Sequence, residues 1–284
     1  MKIALGSVQF GCNYGISNQL GQVSHTEIGN ILALAKQHNI TVIDTAPAYG
    51  NSEKVLGLQK QSKSFSFVTK VPPQLSISKL VASCQNSLKD LDTQKLSGLM
   101  LHHGEALLGG EGNKIYQQLQ LAKKKGLTEK IGCSVYSAKQ AIEISNKFDI
   151  DIIQLPGNIF DQEILGEVVG KTLKEKNIEI HVRSLFLQGV VFLQPNTLPE
   201  HLKILAPKLA KLKQVSVEKN KSMISLTLSP FIKSKYIDKL VIGCCSSLEL
   251  KEIIQGYHSA IDLDWGYDSF AVTDEKIIKP SLWS

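Results

Sequence analysis

No apolar stretch in the 284 residues approaches the roughly 20 needed to span a bilayer. The opening run MKIALGSVQFGCNYG is too short and too broken by glycine for a secretory h-region. A cytoplasmic chain with no membrane partner is therefore expected. Cysteine is sparse and odd in number: Cys12, Cys84, Cys133, Cys244 and Cys245 are scattered, with no C-x-x-C pair and no histidine at zinc-finger spacing. That excludes a disulfide framework and structural zinc, and leaves reduced, buried thiols. Aromatics make up only 6% of the chain. The net charge of +6 is spread along the sequence, and its one cluster, Lys123, Lys124 and Lys125, suits the negative pole of a helix end. A nucleic-acid partner, which wants a basic face interleaved with aromatics, is not expected. Arginine is almost missing: 31 of the 32 basic residues are lysine, and Arg183 is the exception. No G-x-G-x-x-G follows an apolar run, so a Rossmann-type dinucleotide grip is excluded. Low-complexity segments, linkers and solenoid repeats are also absent.

What is there is a regular alternation. Short β-rich apolar runs at residues 3–7, 41–45, 65–70, 98–102, 130–134, 150–154, 178–183 and 240–243 read as eight strands. Between them, helical patterns cover residues 25–38, 78–88, 114–125, 138–146 and 162–176; a two-helix stretch covers 198–229, and residues 248–255 follow the last strand. Ser24, with Glu27 three residues on, Ser78 and Ser137 read as helix caps. Repeated β-α units point to an α/β fold with a parallel sheet. Eight of them, in a chain with 43% apolar residues, point to a single-domain (β/α)8 TIM barrel, with an open doubly wound sheet as the competing architecture. The segment 262–284, which holds Trp265 and Trp283, is expected to wrap the barrel.

In such a barrel the reacting groups stand at the C-terminal ends of strands. The second run ends in Asp44 and continues through IDTAPAYGNSE to Tyr49; the third ends in Lys70; the fourth ends in His102. Taken singly, each has a plainer role. Asp44 could cap a turn, Tyr49 could be a packed ring, Lys70 one solvated lysine among many, and His102 and His103 surface histidines or metal ligands. A metal-dependent hydrolase would draw on His102, His103, His181 and Asp44, but the chain has no H-E-x-x-H and no H-x-H on the first strand, so no metal is expected.

Asp44, Tyr49, Lys70 and His102, in this order and spacing, resemble the catalytic tetrad of the aldo-keto reductases. The resemblance extends through GSVQFGCNYG, DTAPAYGNSE, KIGCSVYS, IIQLPGNIFD, RSLFLQGVV and VIGCCSSLELKEII, and is greatest to the bacterial branch associated with polysaccharide and spore-coat sugars. It implies reduction of a small-molecule aldehyde or ketone, sugar-derived in that branch, with NADPH as cofactor and NADH as the alternative. The chemistry agrees. Hydride addition leaves an oxyanion, and a phenol with an ordinary pKa of about 10 gives up its proton more readily beside a cation. Lys70 would supply that cation, Asp44 would hold it, and His102 would orient the substrate oxygen. A competing reading keeps the barrel and cofactor but makes the chain a regulatory or redox-sensing subunit.

The resemblance also implies a cofactor grip. Ser134 and Gln154 would hold the nicotinamide amide. Ser184, Leu185, Leu187, Gln188 and Gly189 would follow the pyrophosphate, and Gly243, Cys244, Cys245 and Ser246 would meet the adenosine end. Several positions depart from the family pattern. Val135 stands where Asn is usual, Gly157 replaces a common Tyr and is expected to open space, and Cys245 and Ile253 leave the preference between NADPH and NADH open. Arg183 replaces an aromatic. Alternation along IEIHVR places Glu179, His181 and Arg183 on the lumen face. A planar, forked charge there is expected to lie against the nicotinamide or to bind an anionic or hydroxylated part of the substrate, with an ion pair to Glu179 as the competitor. Residues 103–113, 192–199 and the C-terminal segment are expected to form the substrate walls.

Overall fold

The computed structural model describes residues 1–283. Its elements run β1 (Ile3–Gly6), α1 (Val8–Gly11), α2 (His25–Gln37), β2 (Val42–Asp44), α3 (Ser52–Leu58), β3 (Ser66–Val71) and α4 (Leu80–Asp90). Then follow β4 (Leu96–Leu101), α5 (Gly112–Lys124), β5 (Thr128–Ser134), α6 (Ala138–Lys147), β6 (Ile152–Pro156), α7 (Glu167–Glu175) and β7 (Glu179–Arg183). The chain finishes with α8 (Ala206–Glu218), α9 (Met223–Lys233), β8 (Lys239–Gly243), α10 (Ser247–Ala260) and α11 (Glu275–Ile278). All eight strands pair in parallel with their sequence neighbours, and β8 closes on β1, which makes the (β/α)8 barrel. The open-sheet alternative is excluded.

The two faces of each strand explain the closure. Outward residues such as Leu5, Ile43, Phe67, Leu99, Ile131, Ile153, Ile180, Val182 and Ile242 join the helices in one apolar cluster. Inward, Val68, Met100 and Ile152, with Val42 against them, form a plug across the lumen. One step higher along the same faces stand Asp44, Lys70 and Gln154, so strand alternation alone lifts three polar groups onto the plug. A second apolar cluster, including Phe160, Leu187, Leu209, Trp265 and Phe270, joins α8 to the C-terminal segment. Trp265 donates from Nε1 to the buried Ser229 Oγ of α9 (2.8 Å), which ties that segment to the barrel.

Ser24 and Ser137 cap α2 and α6, accepting from the Glu27 and Gln140 amides. Two local expectations need correction, and one helix had none. Ser78 is not a cap: it lies in a 3-10 turn (Ile77–Lys79), its hydroxyl meets Ser76 Oγ, and α4 starts at Leu80. The helix expected over residues 162–176 is broken at Gly166, whose extended backbone separates the 3-10 turn Glu163–Leu165 from α7. Helix α3 follows the β2 loop so closely that its seven residues show no separate periodicity. Among the described residues no helix is long and apolar enough to cross a membrane.

The Trp265 anchor yields a stability prediction. Trp265→Ala should cost about 3–5 kcal/mol, because it removes a large buried ring together with its hydrogen bond to Ser229. Urea unfolding should show the midpoint falling accordingly; an unchanged midpoint would mean that the C-terminal segment does not brace the barrel.

Candidate active site

At the C-terminal mouth of the barrel Lys70 reaches into a buried polar knot. Its ammonium donates to Asp44 Oδ1 (2.5 Å), to the Thr45 carbonyl (3.2 Å) and to the Tyr49 hydroxyl (3.3 Å). Those three bonds use all the donors a lysine has. Lys70 is only 1% exposed and Asp44 3%. The other Asp44 oxygen accepts from Gln154 Nε2 at 2.7 Å, so neither carboxylate oxygen is idle. β2, β3 and β6 each supply one member, and the β2 loop supplies Tyr49, whose amide closes a turn on Ala46 O. His102, one residue beyond β4, stands edge-on to the Tyr49 ring with centroids 5.8 Å apart.

The local electrostatics follow from burial and charge. Burial works against the Lys70 charge, but the Asp44 carboxylate and the Tyr49 oxygen overcome it and lift the pKa above its ordinary value. Burial also raises the Tyr49 phenol, and the opposing pull of Lys70 does not cancel it, so the resting hydroxyl keeps its proton. The expected depression of the phenol by Lys70 is therefore present but outweighed. Burial and then Lys70 push His102 down to about 4, which makes it a neutral imidazole at ordinary pH.

Around this knot opens a cavity of about 850 Å³. Asp44, Tyr49, Lys70, His102, Ser134, Gln154, Arg183, Ser184, Leu185, Gln188, Gly189, Gly243, Cys244 and Cys245 all line it. Leu187 and Ser246, expected among the cofactor residues, lie outside that lining. Leu187 is buried in the second apolar cluster, and the Ser246 hydroxyl caps α10 by accepting from the Glu249 amide. Gly157 opens no space, since a side chain there would meet Val182, Ile164 and Phe231 within 3 Å. Of the expected walls, residues 103–113 contribute nothing to the lining. Tyr14, Gly15, Ser17 and Asn18 after β1 do, with Phe192 and Ile278 to Pro280.

Arg183 makes no pair with Glu179. That carboxylate accepts from His181 Nε2 (2.7 Å) and pairs with Lys130 at the other end of β7. The guanidinium instead donates to Ser134 Oγ (3.3 Å), Ser184 Oγ (3.3 Å) and the Val135 carbonyl (3.1 Å), and lies 4.9 Å from the Tyr136 ring centroid. Every partner is uncharged. Val135 buries its side chain completely while its carbonyl anchors the arginine.

The cavity fits a nicotinamide dinucleotide. Gln154 Oε1 and His102 Nδ1 are buried without a protein partner, and Gln9 Oε1 is a third such atom on the lining. After β7 the backbone turns left-handed at Ser184, Leu187, Gln188 and Gly189, with φ of 64°, 47°, 54° and 88°. The loop closes on itself, with the Leu187 and Gly189 amides donating to the Ser184 and Phe186 carbonyls (2.9 and 2.8 Å), and this keeps Ser184, Gln188 and Gly189 on the cavity lining. Sequence reasoning missed Tyr14, Tyr136, Glu249, Glu252 and Lys279, which reach the cavity from loops, from α10 or from the C-terminal segment. It also missed Glu53, buried behind the site and accepting from Thr69 (2.5 Å) and Ser87 (3.1 Å). Among the described residues no three His, Cys, Asp or Glu side chains converge as metal ligands.

A family profile described as Aldo/keto reductase family matches residues 2–263. An aldo-keto reductase of Bacillus halodurans, solved in its holo form, is 17% identical with a TM-score of 0.78, over 98% of this chain and 95% of that one. A thermostable aldo-keto reductase solved with the inhibitor epalrestat is 18% identical with a TM-score of 0.71, over 95% of each chain. A Pseudomonas aeruginosa structure is 20% identical with a TM-score of 0.69, over 92% of this chain and 91% of that one. At these identities the likeness is one of fold. No curated protein matches the sequence.

The buried imidazole yields a direct prediction. His102 should stay neutral in nitrogen NMR from pH 8 down to about pH 5 and protonate only near 4. An unfolded chain takes up that proton near 6.5, so the stability His102 contributes is present above pH 6.5 and lost as pH falls through 4. Titration near 6.5 in the folded protein would contradict this geometry.

Proposed function

The chain belongs to the aldo/keto reductase family, and we propose that it reduces an aldehyde or ketone with NAD(P)H, Tyr49 supplying the proton. The observation that carries this reading is the buried contact of the Lys70 ammonium with both Asp44 and the Tyr49 hydroxyl on the floor of a dinucleotide-sized cavity. When bound, the reduced nicotinamide supplies hydride to the carbonyl carbon.

The residues have separate tasks. Tyr49 enters the reaction as a protonated phenol, because burial holds its proton until an oxyanion develops beside it. The Lys70 charge then stabilises the phenolate left behind, at a distance Asp44 fixes. Neutral His102 donates a hydrogen bond to the substrate oxygen and orients it without competing as an acid. Gln154, held through its Nε2 by Asp44, presents a free Oε1 to the carboxamide, and Ser134 offers its hydroxyl beside it. Ser184, Gln188 and Gly189, which line the cavity after β7, would hold the pyrophosphate. A side chain on Gly189 would strike Ser17 at 1.8 Å, so only glycine lets that loop close on the β1 loop.

Arg183 faces the same cavity with its fork engaged only by neutral oxygens. That supports a role against the pyridine ring or on an oxygen-rich part of the substrate. Such a role agrees with a sugar-derived carbonyl, the class associated with the branch this sequence resembles. Tyr14, Tyr136, Phe186 and Phe192 supply apolar faces around it.

Two outcomes check the proposal. In single-turnover oxidation of bound reduced dinucleotide by nitrobenzaldehyde, Tyr49→Phe should be slower by roughly 10²–10⁴-fold with dinucleotide binding unchanged. Undiminished turnover would remove Tyr49 from the chemistry, and a wild-type chain that binds dinucleotide without turnover would favour a regulatory barrel. Arg183→Lys should weaken turnover or dinucleotide affinity, since a lysine cannot reproduce the three-way fork; unchanged values of both would end its special role.

A further inference from the structure

One wall of the cavity is built from the tip of β8 and the start of α10: Gly243, Cys244, Cys245, Glu249, Glu252 and Ile253 all line it. The first amides of a helix such as α10 ordinarily invite a phosphate, because they lack partners and sit at the positive pole. Here two of the first three are already taken by the protein's own acceptors. The Ser247 amide donates to Glu27 Oε1 at 2.5 Å, and the Glu249 amide donates to Ser246 Oγ at 3.1 Å. One residue before the helix cap, the Cys245 amide donates to Glu249 Oε2 at 2.7 Å. Two carboxylates thus offset the helix pole of about half a unit charge before any ligand arrives.

One of these carboxylates, Glu27, stands behind this wall, and the Cys245 and Gln9 groups that line it are neutral. The Ser247 amide holds the Glu27 carboxyl below its ordinary range, so it is ionised at neutral pH. Burial, and then Glu249, push the Cys245 thiol up to about 11, so it stays neutral. Gln9 Oε1, buried without a protein partner, lies 2.4 Å from where a side chain on Gly243 would begin, which adds one more acceptor. The cations on the cavity lining are Lys70, Arg183 and Lys279. None belongs to this wall, and each is held elsewhere: Lys70 by Asp44, Arg183 by Ser134, Ser184 and Val135, and Lys279 by Glu275.

A wall of acceptors with no cation suits hydroxyl donors and repels phosphate. An adenosine ribose with free hydroxyls can donate to a carboxylate, the usual device for selecting the unphosphorylated dinucleotide. A 2′-phosphate carries roughly −1.5 to −2 charges near neutral pH and would find like charge, with the Ser247 and Glu249 amides already occupied. We infer that this chain binds NADH in preference to NADPH, and that Glu249 sets the preference. The inference rests on the dinucleotide reading above and reverses the cofactor that the sequence resemblance implies.

Two chemically inert probes test it: ADP-ribose and 2′-phospho-ADP-ribose, titrated calorimetrically into the full chain and into Glu249→Gln and Glu249→Arg. The wild type should bind ADP-ribose at least about tenfold more tightly, the gap shrinking at raised salt. Glu249→Gln keeps an acceptor for the Cys245 amide but loses the charge, so the gap should fall to a few-fold, and Glu249→Arg should reverse it. Equal or tighter wild-type binding of the phosphorylated probe overturns the inference and leaves the reductase reading intact. An unaltered gap in Glu249→Gln overturns the role of that residue. If neither probe binds, the dinucleotide reading itself fails, and the preference fails with it.

Discussion

A lysine ammonium sealed from water inside a barrel is the constraint on which this site depends. Left alone, such a charge would neutralise rather than pay a desolvation cost of many kcal/mol. Lys70 stays charged because Asp44 lies 2.5 Å away, and Asp44 stays fixed because Gln154 occupies its second oxygen. Removing one partner of a buried pair typically costs about 3–5 kcal/mol, more than such a pair gains over a hydrophobic replacement. This arrangement is weak as a stability device. Its value is positional: with the Thr45 carbonyl it holds the cation against the Tyr49 phenol.

The plug of Val68, Met100 and Ile152 is the other half of that constraint. It closes the floor of the cavity from below, where burial holds the Tyr49 proton and, with the Lys70 charge, keeps the His102 imidazole neutral. In the same place His102 Nδ1 and Gln154 Oε1 are buried without a protein partner. Two features that disfavour the folded chain by itself, a buried ion pair and buried idle acceptors, therefore meet in one place. Interiors satisfy nearly all their polar groups, and a local failure to do so marks a place shaped for something else.

Much of this was legible in the sequence, and the reasons are particular. Strand ends placed Asp44, Lys70 and His102 at the barrel mouth, and alternation placed Glu179, His181 and Arg183 on the lumen face, because a period of two leaves no other choice once the outward residues are apolar. It could not say at what height each would sit. Glu179 and Arg183 share a face, yet four residues of strand separate them by about 13 Å, and Glu179 turns to Lys130 and His181 instead. The loops were less legible. Leu187 reads like its neighbours in RSLFLQGVV, but left-handed turns on either side swing its side chain into the second core. Ser78 has the chemistry of a cap but lies one short 3-10 turn before the helix. Ser246 is a cap, and that occupation takes it out of the cavity lining. The acidic character of the α10 wall depends on Glu27, some 220 residues earlier in the chain, reaching the Ser247 amide.

The central claim is that Lys70 and Tyr49 address a reduced pyridine ring in one shared cavity. A crystal structure of the chain with reduced dinucleotide tests it most directly. The account predicts the carboxamide on Ser134 and Gln154, with the ring against the Tyr49 hydroxyl and the Lys70–Asp44 pair intact beneath it. A dinucleotide bound elsewhere, or a Tyr49 hydroxyl turned away from Lys70 and from the ring, would contradict it.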